Sequence, residues 1–379
     1  MTDNISENID NNKDPVLIFE TAGKEKIYRC DTSIVVRLPP NRNALTVSEL
    51  NGGYMEDLEA VFNHQPKPSQ GKHSCCNLEG NSVPEYLKIT AVRLGLDPAK
   101  STGMMTAANM KNAAVSNKSF RDIDVTAIVT AGIEVNGGRA GDPASFYEED
   151  CEFEQICGTI ITILIINANL PESTLARAIV TATEAKTVAI QQLMAPSRYS
   201  DGIATGSGTD QISVISNLES KNRLLNAGKH SKLGELIGRC VIEATTKALE
   251  KQSGLCPESQ RDMMVRLERF GIDEKKIWSI ASRLEGENRR SVFIKNLREF
   301  SKNPDVVAMT ASLLHIQDEI NWGLTPELSG RRTAISIMKT LPELAGAKKR
   351  PQSDILFDER VAIIENWIRI VSWCIKNGI

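Results

Sequence analysis

The sequence predicts an α+β domain over residues 16–255, followed by an all-α domain over residues 256–379. Before residue 255, β-branched runs such as VTAIVTAG and TIITILIIN alternate with segments of helical periodicity. Continuous apolar runs of this kind are typical of strands that are buried on both faces, and helices then cover the sheet. After the SGLCPES segment, the remaining apolar stretches have helical spacing instead.

The elements of the first domain follow in order along the chain. Residues 1–15 are acidic and polar, which predicts a disordered tail rather than a signal peptide. Short strands are predicted at VLIFET, KIYRC and SIVVRLP, and a helix over residues 83–96. Two longer helices are predicted at PESTLARAIVTATEAKTVAIQQLM and HSKLGELIGRCVIEATTKALEKQ, on either side of a strand at QISVIS.

The second domain is predicted to be helical to its end. Residues 347–354 (AKKRPQSD) are basic and contain proline, which indicates a solvated loop between helices. The amphipathic segments are RDMMVRLERFG, DEKKIWSIASRLE, SVFIKNLREFS, PDVVAMTASLLHIQDEINWG and DERVAIIENWIRIVSWCIKNG.

Composition excludes several classes of function. The net charge of −3 and the 5% aromatic content do not favour nucleic-acid binding. The longest apolar stretch, TIITILII, is too short to span a bilayer, so we expect no membrane insertion. The eight cysteines form no CxxC blocks, which predicts reduced thiols in the cytoplasm. The four histidines form no HxxxH or HExxH pair, so no helix-borne zinc site is indicated.

The segment GIATGSGTD, residues 202–210, resembles a phosphate-binding loop but fails both tests of spacing. A dinucleotide fingerprint needs a glycine where Gln211 stands, and a Walker loop needs lysine where Thr209 stands. Two alternatives remain: an ordinary turn that enters a strand, or a loop whose glycines bring backbone close to a ligand.

Several other clusters combine small and polar residues at the predicted ends of elements, namely ELNGGY, STGMMTAANM and TAGIEVNGGRAGDP. Two helical segments, TATEAK and KHSKLGELIG, add charged residues. Glu184 and Lys186 are two residues apart, so a helix would direct them to different neighbours. The alternative interpretation of Glu184, Lys186 and Glu235 is a solvated helix face. For His230 the alternative is an N-terminal helix cap or a structural hydrogen bond.

Taken together, these motifs resemble the adenosylcobinamide amidohydrolase family. GMMTAA, TAG with RAGDP, GTI with LIINA, ATEAK, ATGSGTD and HSKLGELIG occur in this order over about residues 30–250. The sequence departs from the pattern at Gly137 and Gly138 and has an apparent insertion over residues 64–80. The resemblance implies hydrolysis of the amide that joins aminopropanol to the corrin ring, which gives adenosylcobyric acid.

Amide hydrolysis needs an activated nucleophile, an oxyanion site and a proton for the departing amine. For the base we consider Asp210 or Glu184, for the proton or positive charge His230 or Lys186, and for a covalent nucleophile Thr106. N–H groups near Gly206 and Gly208 are candidates for the oxyanion site. The residues predicted to contact substrate are Asn51, Gly52, Gly103, Met105, Gly132, Thr205, Gly206, Gly208, Thr209 and Glu235.

The C-terminal region, about residues 257–379, resembles the helical phosphatidylglycerophosphatase A-like family, which includes α-ribazole phosphate phosphatases. The resemblance implies a bifunctional enzyme with a magnesium site at Asp318, Glu319, Asp358 and Glu359. The alternative interpretation of these four acids is charge at helix N-termini or on the surface. The alternatives are a non-catalytic dimerisation module and a corrinoid-binding protein without chemistry, although no DxHxxG motif for cobalt is present. We expect a homo-oligomer, no certain cofactor for the first domain, and a corrinoid as its partner.

Overall fold

The computed structural model describes residues 15–66, 78–80, 82–144, 159–347, 351 and 356–377. The chain divides into two units, residues 1–256 and residues 257–379. The predicted tail lies outside the described residues, apart from Pro15, as does most of the predicted loop at 347–354. In the described parts of the chain, no helix is long and apolar enough to cross a membrane.

The described residues of the first unit form thirteen strands, arranged in two main sheets and one short ribbon. The strands are β1 (Val16–Glu20), β2 (Lys26–Arg29), β3 (Ser33–Arg37), β4 (Arg42–Thr46), β5 (Gly53–Glu56), β6 (Ala60–His64), β7 (Ser101–Met105), β8 (Ala114–Phe120), β9 (Ile123–Ala131), β10 (Gly137–Gly138), β11 (Ile160–Ile166), β12 (Gly206–Ser207) and β13 (Gln211–Asn217).

The five-stranded sheet has the order β1-β2-β3-β6-β7, and the six-stranded sheet has the order β5-β4-β13-β11-β9-β8. Most neighbouring strands are antiparallel, but β6 and β7 are parallel, as are β11 and β13. Strands β10 and β12 form a separate two-residue ribbon. A mixed sheet covered by helices confirms the predicted fold class for this unit.

The two main sheets pack face to face. Successive apolar side chains of a strand point alternately into the core between the sheets and into the core beneath the helices. Along β11, Ile161, Ile163 and Ile165 enter the core between the sheets, whereas Ile160 and Leu164 face the opposite side. Helices α2 (Glu172–Gln192) and α3 (Lys232–Ser253) cover that opposite side. Helix α1 (Val83–Arg93) covers the outer face of the five-stranded sheet. The layer order is therefore helix, sheet, sheet, helices.

One end of this sandwich gathers most of the glycine-rich segments, and we call it the glycine end. Strands β6, β7 and β9 finish there, while β11 and β13 begin there. The two sheets are joined at this end by a hydrogen bond of 2.8 Å from Asn63 Nδ2 to Thr130 Oγ1. The Oδ1 of Asn63 and the Oγ of Ser213, both buried, have no hydrogen-bond partner among the described residues.

The opposite end carries a buried ion pair. Arg42 Nε donates to Glu25 Oε1 over 2.6 Å, and the two side chains are 2% and 1% exposed. The Arg42 guanidinium also donates to the carbonyl oxygens of Gly23 and Pro40. Burial of charge is tolerated because almost every donor of the guanidinium is satisfied.

The second unit is helical throughout its described residues, as predicted. Its helices pack around a core that contains Phe293, Leu313 and the fully buried Trp367. The helices are α4 (Met263–Leu267), α5 (Glu274–Ala281), α6 (Arg290–Phe300), α7 (Pro304–Asn321), α8 (Glu327–Met338), α9 (Leu341–Leu344) and α10 (Ile363–Asn377).

Candidate functional site

An ion pair between Lys186 and Asp210 lies at the glycine end. Lys186 Nζ, from the second half of α2, donates to Asp210 Oδ2, immediately before β13. The side chains are 13% and 15% exposed. The Asp210 carboxylate also accepts hydrogen bonds from Ser207 N (3.0 Å), Ser207 Oγ (2.7 Å) and Ile160 N (2.9 Å). Four donors occupy about all the acceptor positions of a carboxylate, so Asp210 holds Lys186 and the turn at Ser207 in place.

The backbone of Gly206 lies directly against this ion pair. A Cβ at position 206 would lie 2.6 Å from Lys186 Nζ and closer still to Asp210 Oδ2. Any larger residue at position 206 would therefore require the ends of the Lys186 and Asp210 side chains to shift. Gly208 differs, because a Cβ there would meet no atom within 4 Å. Its backbone is exposed and open to a ligand.

Hydroxyl groups surround the pair. Thr159 Oγ1 lies 2.7 Å from Thr209 Oγ1 and donates to the Thr209 carbonyl oxygen. Thr187 Oγ1 donates to the Thr205 carbonyl oxygen over 3.1 Å. Thr205 N in turn donates to the Gly138 carbonyl oxygen over 2.8 Å, beside the β10–β12 ribbon. Of the residues predicted to contact substrate, Thr205, Gly206, Gly208 and Thr209 thus come together with Lys186 and Asp210.

Glu184 and His230 lie in a different place, an open groove of about 440 Å³ between α2 and the segment before α3. Glu184 forms an ion pair of 2.8 Å with Lys229, and the two side chains are 46% and 62% exposed. Arg177 also lines the groove. The interpretation of His230 as a helix cap is wrong, because Ser231 caps α3 by accepting from Gly234 N. As predicted from their spacing, Glu184 and Lys186 serve different partners.

Glu235 lies in the first turn of α3 and pairs with Lys232 and Arg239. The hydrogen bond from Lys232 lowers the pKa of Glu235. Lys232 Nζ also lies 4.8 Å from the Phe120 ring centroid, at the hairpin of β8 and β9. That hairpin is at the opposite end of the sandwich, so Glu235 is remote from the Lys186–Asp210 pair.

Three of the residues predicted to contact substrate have structural partners. Asn51 Nδ2 donates to the carbonyl oxygens of Pro98 and Ser101, each over 2.7 Å. A Cβ on Gly52 would overlap the Ser48 carbonyl oxygen, and a Cβ on Gly103 would lie 2.5 Å from Phe62 Cε2. These contacts account for both glycines through packing alone.

Met105, Thr106 and Gly132 lie at the glycine end. Met105 is half-buried at the end of β7 and packs on the core below α1. Thr106 is 4% exposed; its N–H donates to the His64 carbonyl oxygen, and its Oγ1 accepts from Ala108 N. Gly132 approaches Gln252 at the end of α3, where a Cβ would have an ordinary contact of 3.5 Å. The hydroxyl of Thr106 is thus engaged and buried.

The four acids predicted to bind magnesium are engaged by other partners. Both oxygens of Asp318 accept from Arg269, over 2.9 and 2.6 Å. Glu319 accepts from Thr325 Oγ1 over 2.7 Å. Across the described ranges, no three His, Cys, Asp or Glu side chains group in a way that could hold a metal ion. Asp358 pairs with Arg360, and Glu359 pairs with Arg332. The structure therefore does not bring these four acids together.

Three residues near the glycine end were not predicted from the sequence: Thr159, Ser207 and Asp142. Ser207 and Thr159 belong to the motifs ATGSGTD and GTI, but neither was predicted to act. Asp142 is the aspartate of RAGDP and accepts from Ser197 and Ser200. Each of the three lies within a motif that carries the family resemblance, and that position could have marked it as a candidate site residue.

Comparisons with known proteins agree with the resemblance read from the motifs. The family model described as adenosylcobinamide amidohydrolase matches residues 18–257. An uncharacterised protein of Methanocaldococcus jannaschii is 37% identical over 233 residues, which cover 58% of this chain and 86% of that protein. An adenosylcobinamide amidohydrolase of Methanosarcina mazei is 30% identical over 210 residues, which cover 53% of this chain and 87% of that protein.

Among solved structures, a Pyrococcus horikoshii protein matches 62% of this chain and 82% of its own chain, at 12% identity. Its TM-score is 0.32, which is too low to support a conclusion about fold or function. The family match, in contrast, spans more than half of the chain and contains the motifs that form the glycine end. The chain therefore belongs to the adenosylcobinamide amidohydrolase family.

Proposed function

We propose that this chain hydrolyses the amide bond between aminopropanol and the corrin ring of adenosylcobinamide, giving adenosylcobyric acid and aminopropanol. The observation that carries the proposal is the family match over residues 18–257. The relative from Methanosarcina mazei is itself described as an adenosylcobinamide amidohydrolase, and the match covers 87% of that protein.

We infer that the chemistry takes place at the Lys186–Asp210 pair. An amide oxyanion needs nearby positive charge, and the departing amine needs a proton. Lys186 supplies both a charge and N–H groups, and it is held in a largely buried position by Asp210. A fixed donor of this kind needs no reorganisation during the reaction.

Asp210 is better suited to orient Lys186 than to act as the base, since its acceptor positions are occupied. The exposed backbone of Gly208 leaves room for the substrate amide beside the pair. For the nucleophile, water fits better than Thr106, whose hydroxyl is buried and already hydrogen-bonded. The water oxygen adds to the amide carbon, the C–N bond breaks, and the proton that water loses leaves on the amine as aminopropanol.

The groove that contains Glu184 and His230 is the second candidate for the reaction centre. Its volume and its charged lining favour ligand binding. However, the Glu184–Lys229 pair is exposed, so solvent weakens its electrostatic effect. We therefore place the reaction at the Lys186–Asp210 pair rather than in this groove.

A phosphatase activity of residues 257–379 stays a prediction without support from the described residues. Phosphoryl transfer normally uses a divalent metal beside carboxylates. Asp318 is instead neutralised by Arg269. The alternative of a helical module without catalysis is consistent with that contact.

The experiment is an incubation of the full chain with adenosylcobinamide, with both products followed by mass spectrometry. We expect aminopropanol and adenosylcobyric acid in equal amounts, with many turnovers per chain. Recovery of unchanged adenosylcobinamide at equimolar enzyme would contradict the proposal. Tight binding without turnover would favour a corrinoid-binding protein instead.

A further inference from the structure

The carboxylate of Asp142 joins two segments that lie outside the two main sheets. One is the turn after β10, and the other is the loop that contains Ser197 and Ser200. Its Oδ2 accepts from Arg139 N over 2.8 Å and from Ser197 Oγ over 2.5 Å. Its Oδ1 accepts from Ser200 Oγ over 2.5 Å. Asp142 therefore ties the turn after β10 to the loop that precedes β12.

The two serines extend this connection into the backbone of the loop. Ser197 Oγ accepts from Tyr199 N over 3.0 Å, and Ser200 Oγ accepts from Gly202 N over 3.2 Å. Each hydroxyl thus receives a backbone N–H and donates its own hydrogen to the carboxylate. An ionised carboxylate suits this arrangement because it accepts without donating.

The charge of Asp142 is consistent with this geometry. Partial burial acts to raise the pKa of Asp142, but hydrogen bonds from Ser197, Ser200 and Arg139 N outweigh it and lower the pKa overall. The carboxylate is therefore ionised near neutral pH, and the hydrogen bonds that it accepts are charge-assisted.

The loop leads directly to the candidate reaction centre. Arg198 N donates to the Gly137 carbonyl oxygen, and Thr205 N donates to the Gly138 carbonyl oxygen, each over 2.8 Å. The next residues, Gly206–Ser207, form β12 and lie against Lys186 and Asp210. The β10–β12 ribbon has only two residue pairs, and such a short ribbon is marginal without further support.

We propose that Asp142 is a positioning residue for the hydrolytic reaction, because it fixes the loop at residues 195–205 and so holds Gly206 against the Lys186–Asp210 pair. The proposal rests on the proposed function and deepens it. Asp142 acts through the loop, and its loss displaces the Gly206–Ser207 backbone that lies against Lys186 and Asp210.

The test compares Asp142→Ala with Asp142→Asn and with Asp122→Ala in the full chain. Asp122 is an exposed aspartate in the β8–β9 hairpin at the opposite end, so it controls for the lost charge. Two readouts are measured: kcat and KM for adenosylcobinamide, and hydrogen exchange of the amides of Arg198 and Thr205.

For Asp142→Ala we expect a decrease of kcat by about 10²-fold, as for a displacement of about 1 Å, with a smaller change in KM. Exchange at Arg198 and Thr205 should accelerate at least about tenfold. Asn keeps one acceptor oxygen, so Asp142→Asn should recover part of both effects. Asp122→Ala should behave as the parent chain.

Several results would overturn the proposal. Accelerated exchange with unchanged kcat would mean that the loop anchor is not needed for the reaction. A lower kcat with unchanged exchange would place Asp142 in direct contact with substrate. If the parent chain hydrolyses no adenosylcobinamide, the proposed function fails, whereas exchange still tests the anchor. If Asp142→Ala does not fold, the double variant Ser197→Ala with Ser200→Ala removes two of the three bonds and is judged by the same criteria.

Discussion

Two glycines in one loop offer a matched test of the geometry at the glycine end. In Gly206→Ala the new Cβ would lie 2.6 Å from Lys186 Nζ, so the ammonium must retreat by about 1 Å to reach an ordinary contact of about 3.5 Å. Its partner Asp210 must move as well, which disturbs the hydrogen bond of 2.9 Å to Ile160 N. In Gly208→Ala no atom lies within 4 Å of the new Cβ.

The displacement sets the expected magnitudes. An inserted methyl group that forces such a shift costs about 1–3 kcal/mol of the free energy of unfolding. A misplacement of about 1 Å near the reacting groups lowers kcat by about 10²-fold, equivalent to about 2.7 kcal/mol in the barrier. Gly208→Ala should leave the unfolding free energy within about 0.5 kcal/mol.

The assay combines urea unfolding with steady-state hydrolysis of adenosylcobinamide by both variants. We expect Gly206→Ala to lose stability and kcat together. Gly208→Ala should keep its stability, and any change in KM would report a substrate close to the Gly208 backbone. Equal kcat and equal stability for Gly206→Ala and the parent chain would refute the close packing of Gly206 against the Lys186–Asp210 pair.

Three further predictions concern contacts outside this loop. Glu25→Gln should lower the free energy of unfolding by about 3–5 kcal/mol, because the buried Arg42 then keeps as its charged partner the exposed Glu219, 3.8 Å away. A urea midpoint equal to that of the parent would contradict this. Asp318→Asn should lower the melting temperature of the C-terminal unit equally with and without magnesium, since Arg269 donates to both oxygens of Asp318. A decrease that depends on magnesium would support the predicted metal site instead. Hydrogen bonding from Lys118, foremost among several contacts, lowers the pKa of Glu243 to about 2. The stability from this group is therefore complete above the unfolded pKa of about 4.3 and is lost as the pH falls towards 2; acid titrations of the parent and Glu243→Gln should diverge over that range, and superimposable curves would exclude the effect.

The sequence predicted best the elements whose side chains repeat a clear pattern. Strands β9 and β11 are runs of β-branched residues, and α2 and α3 have long helical periodicity. Strand β7 was missed, because STGMM combines glycine and polar residues in a form typical of a loop. Its Gly103 is buried only because the Phe62 ring fills the space of a side chain, which is a tertiary contact that no local pattern reveals.

The candidate site was predicted in part for the same reason. The spacing of Glu184 and Lys186 correctly required different partners, but it did not say which of them faces the glycine end. The partner of Lys186, Asp210, is 24 residues away in the chain and was predicted as a base rather than as its anchor. Asp142 was missed because its serine partners are more than 50 residues distant.

The central claim is that adenosylcobinamide is hydrolysed at the Lys186–Asp210 pair. The measurement that tests it most directly is kcat for Lys186→Gln and Glu184→Gln beside the parent chain, with folding verified by circular dichroism. Glutamine at position 186 keeps an N–H donor for Asp210 but removes the charge. We predict a decrease of at least about 10²-fold for Lys186→Gln and a change below about threefold for Glu184→Gln. Near-parent turnover by folded Lys186→Gln, with loss of turnover in Glu184→Gln, would contradict the account and move the reaction to the groove with His230.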